Sequence, residues 1–90
     1  MSKVLCAWTP IHSAADLPRQ SGEYLVTMCD GPIDAPTARY IRIAYYDATV
    51  VEWMNLRSEL LTPVEFAWTG AGWTRVTAWR PMPKPYEGEA

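Results

Sequence analysis

The chain has 90 residues, with eight basic and ten acidic side chains scattered along it without a like-charged run and a net charge of −2. That balance lacks the broad cationic field that duplex nucleic acid selects, and no stretch approaches the roughly 18 apolar residues of a membrane span, so neither is expected as a partner. A hydrophobic fraction of 49% and an aromatic fraction of 12%, with five Trp and five Tyr against one Phe, fit a single small domain over residues 1–90 with a dense core and half-wet aromatic edges.

The opening segment, "MSKVLCAWTP", is too short in its apolar part for a signal peptide, and the chain reads as cytoplasmic. Cys6 and Cys29 lie far apart in segments that look like neighbouring strands. In a reducing compartment they are expected to be free, buried thiols rather than a bridge.

In chain order, Lys3 to Trp8 is β-compatible and stops before Pro10. A polar turn region follows, "HSAADLPRQSG", punctuated by Pro18 and Gly22. Residues 23–29, "EYLVTMC", alternate Tyr24, Val26 and Met28 against Leu25, Thr27 and Cys29, as a strand covered on both sides does. The connection "DGPIDAPTA", with Gly31, Pro32 and Pro36, is long and is expected to be mobile. Residues 39–47, "RYIRIAYYD", form the clearest strand, with Ile41, Ile43 and Tyr45 on one face and Tyr40, Arg42, Ala44 and Tyr46 on the other.

The period then changes. Thr49 followed by Glu52 reads as a capping box, apolar residues fall at Val50, Trp53, Met54, Leu60 and Leu61, and Pro63 closes the segment. This predicts one helix over residues 50–61. Residues 64–69 and 73–79 read as two strands joined through Gly70 and Gly72 in a short hairpin. The expected architecture is α+β: a small antiparallel sheet of about five strands, with the helix packed on one face to bury its apolar stripe. Residues 81–90 are expected to form an extended proline-rich C-terminal segment whose last residues are disordered.

Little in this chain points to catalysis. His12 is the only histidine and has no partner at metal-ligand spacing, neither cysteine sits in a C-x-x-C pair, and the nucleophile-elbow, P-loop and dinucleotide glycine patterns are absent. Asp30, Asp34 and Asp47 lie in or beside loops, where solvated carboxylates keep ordinary acidity. The expectation is a protein that is not an enzyme and holds neither metal nor cofactor.

The more informative constellation is aromatic and basic. Strict alternation along the last strand puts Trp73, Arg75, Thr77 and Trp79 on one face, two indoles flanking one guanidinium. Tyr40, Arg42 and Tyr46 offer a companion set if the two strands are neighbours. Such a platform stacks nucleobases or proline rings and pairs phosphates or carboxylates. The same residues also suit a core, with Trp73 and Trp79 buried and Arg75 laid across them as a structural cation–π contact.

Two terminal motifs carry a resemblance. "W8-T-P10…L17-P18…G22-E-Y24-L-V-T27" and "V76-T-A-W79-R-P81-M-P83-K-P85" resemble a small phage and prophage domain, domain-of-unknown-function family 551. Its members open on W-x-P…L-P…G-x-x-V-L-V and close on V-T-H-W-M-P-L-P-x-P-P. Ala78 and Arg80 stand here where the family usually has His and Met. The resemblance implies a short accessory protein of a phage acting inside a bacterial cell. The function expected on this basis is a binding module that interferes with host machinery, in the manner of counter-defence, by sequestering a nucleotide-like small molecule or covering a host protein. The alternative is a homo-oligomeric structural protein whose open sheet edge or aromatic rim pairs with itself. In either case Pro81, Pro83 and Pro85 cannot donate to a ladder, so the terminal stretch is expected to act as a latch with Trp79 plugging the end of the sheet, beside Trp8 and Tyr24.

Overall fold

The two segments with the most regular alternation form the centre of the structure. The computed structural model describes residues 7–83. Strand β2 (Gly22–Asp30) pairs antiparallel with β3 (Ala38–Asp47) from Gly22 opposite Tyr46 to Asp30 opposite Ala38. With β1 (Thr9–Pro10), β4 (Glu52–Met54) and β5 (Thr74–Pro81) they make one five-stranded antiparallel sheet in the spatial order β1-β5-β2-β3-β4. The expected strand from Lys3 begins outside the described residues, and the strand seen near it, β1, is only two residues long.

The expected helix over residues 50–61 is not there. Glu52–Met54 are instead β4, which hairpins back onto β3 with Trp53 opposite Tyr46, and Met54 makes an isolated bridge to Leu60. The physical reason lies in short polar side chains that compete with helical bonding. Asp47 Oδ1 accepts from Thr49 N–H at 2.9 Å, and Asn55 Oδ1 accepts from the backbone N–H groups of Arg57 and Glu59 at 2.8 and 3.0 Å. The loops so formed need left-handed residues, Val51 at φ 59° and Ser58 at φ 65°, and neither conformation fits inside a helix.

The only α-helix among the described residues, α1 (Phe66–Thr69), has four residues and lies where a strand was expected. Gly70, at φ 75°, terminates it by donating its N–H to the Phe66 carbonyl. A 3₁₀ turn at Ala14–Asp16, capped by Ser13, is the remaining helical piece, so the fold is mostly β rather than α+β. No described helix is long and apolar enough to cross a membrane.

The two faces of the sheet differ. Tyr24, Val26, Met28, Ala44, Tyr46, Trp53, Val76 and Trp79 belong to the core face, and Val26, Ala44 and Trp53 are fully buried. Tyr24, Tyr46 and Trp53 pack as rings, with centroids 6.1 Å apart for Tyr24–Trp53 and 4.8 Å for Tyr46–Trp53. Each large side chain buried in this way contributes roughly 1.5–3 kcal/mol. On the opposite face Ile41 and Ile43 are 57% and 41% exposed, and Tyr45 beside them is also exposed. The long β2–β3 connection is tied at both ends, with Thr37 N–H donating to Asp30 O and Gly31 N–H to Trp73 O, each at 2.8 Å.

Candidate functional site

A β-bulge takes apart the expected platform. Along the β2–β5 ladder Thr27 lies opposite Ala78 but Met28 lies opposite Val76, so Thr77 is an extra residue and the side-chain alternation reverses across it. Trp79 therefore shares the core face with Val76, opposite Val26, whereas Arg75 points to the other face, opposite Cys29. Trp73 lies before the strand, 62% exposed. The strands carrying the two halves of the expected platform are also not neighbours, because β2 lies between β3 and β5.

The companion set is divided as well. The Tyr46 ring is buried against Trp53 and is part of the core. Tyr40 and Arg42 do stay together, with the guanidinium 4.6 Å from the ring centroid. The Tyr40 hydroxyl donates to Asp30 Oδ1 at 3.0 Å, and the Thr74 hydroxyl donates to the same oxygen at 3.0 Å, so Asp30 is held as a buttress across three strands. Burial, and then the Asp30 carboxylate, push the Tyr40 phenol's pKa above its ordinary 10.0, so it holds its proton more tightly.

Two concavities among the described residues bear on function. The larger, about 550 Å³, is floored by Tyr24 and Trp79 and walled by Asp16, Leu17, Arg19 and Gln20 from the turn region before β2. The two rings meet edge to face with centroids 5.1 Å apart. Both polar handles are occupied, Trp79 Nε1 donating to Asp16 O at 2.7 Å and the Tyr24 hydroxyl to Gln20 O at 2.8 Å. Trp79 thus sits as a plug beside Tyr24, with Pro81 in ladder register with Tyr24 and the Arg80 guanidinium 6.0 Å from the Trp8 ring. Of the remaining latch prolines, Pro83 is exposed and Pro85 lies outside the described residues.

The second concavity, about 350 Å³, opens around Arg75 on the other face, with Cys29, Arg39 and His12 among its lining residues. Arg75 is only 1% exposed. Among the described residues it donates one guanidinium bond, to the Gly31 carbonyl, and its Nε–H has no partner. Cys29, buried beside it, is a free thiol 3.4 Å from the Thr77 hydroxyl; Cys6 lies outside the described residues. No cluster of three or more metal-ligating side chains occurs among the described residues.

Arg19 and Arg39 were absent from the sequence-based site. The alternation of residues 39–47 already puts Arg39 on the side of Ile41, away from Tyr40. Arg19 carries no such signal, since only the folding of the turn region onto Trp79 brings it to the cleft. Comparison with protein-family models, curated proteins and solved structures yields no match to this chain.

Proposed function

We propose that the protein is a non-enzymatic binding module that sequesters a small, planar, nucleotide-like ligand in the Tyr24–Trp79 cleft. The observation that carries this reading is that both rings are locked by hydrogen bonds to backbone carbonyls before any ligand arrives. Ring surface fixed in advance spares the ordering entropy that binding otherwise costs. The cleft volume falls within the range of small-molecule sites, and Arg19 on its wall supplies a cation for a phosphate. The phage setting and the interference with host machinery rest on the terminal motifs.

Titration with adenosine monophosphate, followed in ¹H–¹⁵N spectra, tests the site. The Trp79 indole N–H is expected to shift saturably, and Arg19→Ala to weaken binding several-fold. A Trp79 signal that stays still at millimolar nucleotide refutes the assignment. The exposed row of Ile41, Ile43 and Tyr45 favours a second reading, in which the chain covers a host protein or pairs with itself. Light scattering at tens of micromolar separates the self-pairing form from a monomer, and native mass spectrometry of protein drawn from bacterial lysate reports the mass of anything bound.

A further inference from the structure

Arg75 poses an electrostatic problem that the fold leaves open. A guanidinium stays protonated at any physiological pH, and an uncompensated buried charge costs several kcal/mol. Buried arginines are accordingly found paired with carboxylates or phosphates. Arg75 is 1% exposed, yet its one hydrogen bond among the described residues goes to the neutral Gly31 carbonyl, and its Nε–H remains unpartnered. The nearest acidic residue in sequence to its ladder partner Cys29 is Asp30, whose side chain is on the other face, engaged by Tyr40 and Thr74.

The cavity that Arg75 lines sharpens the point. None of its lining residues is acidic, whereas Arg39 and His12 join Arg75 there. Two guanidinium groups and an imidazole converge on a pocket of about 350 Å³ in a chain whose net charge is −2. Most of the remaining wall, with Ile11, Ile33, Pro36 and Ala67, is apolar, interrupted by the Cys29 thiol and the Thr77 hydroxyl, and it lowers the local dielectric, which strengthens any ion pair formed inside.

We propose that this cavity is a second binding site, distinct from the Tyr24–Trp79 cleft, for a doubly charged oxyanion of the phosphate or phosphomonoester type. Arg75 is its buried anchor, through the free Nε–H, and Arg39 is its second cation at the mouth. Two positive charges match a dianion, while the modest volume and a lining without Phe, Tyr or Trp favour a compact phosphoryl group over a stacked base.

Inorganic phosphate, titrated into the full chain, is the probe. The Arg75 Nε–H resonance is expected to shift saturably while the Trp79 indole N–H does not, so failure here is separable from failure of the nucleotide cleft. Arg39→Ala, at an exposed position, is expected to raise the phosphate Kd about tenfold, the loss of one charge-assisted contact. Arg75→Met is expected to abolish binding and, in phosphate-free buffer, to be at least as stable as the parent, because it removes an unpaired buried charge. An arginine serving only the fold gives the opposite result, with Arg75→Met less stable and phosphate without effect on either protein. No saturable shift up to about 10 mM phosphate, unchanged affinity in Arg39→Ala, or acetate binding as tightly as phosphate each overturns the proposal.

Discussion

Gly70 and Gly72 provide a paired test of the segment between α1 and β5. Their φ angles, 75° and 76°, are nearly the same, so the backbone penalty of placing an alanine there, about 1–2 kcal/mol, is common to both. The gain from restricting the unfolded chain, about 0.4–1 kcal/mol, is common as well. What differs is the surroundings. A Cβ on Gly70 would stand 3.1 Å from Ile33 Cγ2, an exposed side chain with room to give. A Cβ on Gly72 would stand 2.4 and 2.6 Å from Phe66 ring atoms, which forces the ring or the loop to move. Overpacking of that kind costs about 1–3 kcal/mol. Gly70→Ala is therefore expected to lose about 1 kcal/mol and Gly72→Ala about 2–4 kcal/mol. Urea denaturation followed by far-ultraviolet circular dichroism reads the difference as a gap between the two midpoints of about 1–3 M, taking roughly 1 kcal/mol/M for a chain this small. A plain hairpin turn through the two glycines would treat them alike. Coincident midpoints would refute the packing of Phe66 over Gly72 and the helical turn that positions it.

Trp53→Ala is expected to remove about 3–5 kcal/mol, much of the stability of a small domain, because the indole is fully buried between Tyr24 and Tyr46. Trp53→Phe should lose less, since it keeps a ring and removes a buried indole N–H that has no partner among the described residues; a small loss in Trp53→Ala would contradict the burial. The pH profile follows from Tyr40, raised by burial and the Asp30 bond, and Tyr46, raised by burial and then Asp47. A phenol whose folded pKa exceeds its ordinary 10.0 contributes stability that is whole below pH 10 and lost as pH rises through the raised value. Melting temperatures should thus fall on the alkaline side, and Tyr40→Phe should remove its share of that dependence; a profile unchanged by that variant would refute it.

Much of the sheet was legible because period-two alternation survives wherever backbone pairing is regular. Residues 39–47 show it: the expected faces, Ile41, Ile43 and Tyr45 against Tyr40, Ala44 and Tyr46, are those of β3. The segment 50–61 misled because Val50, Trp53, Met54, Leu60 and Leu61 satisfy a helical spacing as readily as they satisfy a short hairpin. The tie was broken by Asp47 and Asn55, whose side chains capture backbone N–H groups locally. Residues 66–69 were hidden for the converse reason: a single helical turn has no period to display, and its Gly70 terminator is also a turn residue.

The sequence by itself determined a small aromatic-rich domain, its two central strands, and the lack of any motif for metal or nucleophilic chemistry, since composition and local alternation are properties of the chain alone. The sides on which Trp79 and Arg75 lie were decided only by the tertiary structure. One extra residue in the ladder, Thr77, reverses every side chain beyond it, and no local propensity records that shift. The same is true of the strand order, which puts β2 between the two halves of the expected platform, and of the packing that closes over Arg75 without an acid from the described residues. Both arise from contacts between residues far apart in the chain, and those contacts leave a locked aromatic cleft on one face and, on the other, a buried cation that no described acidic residue pairs.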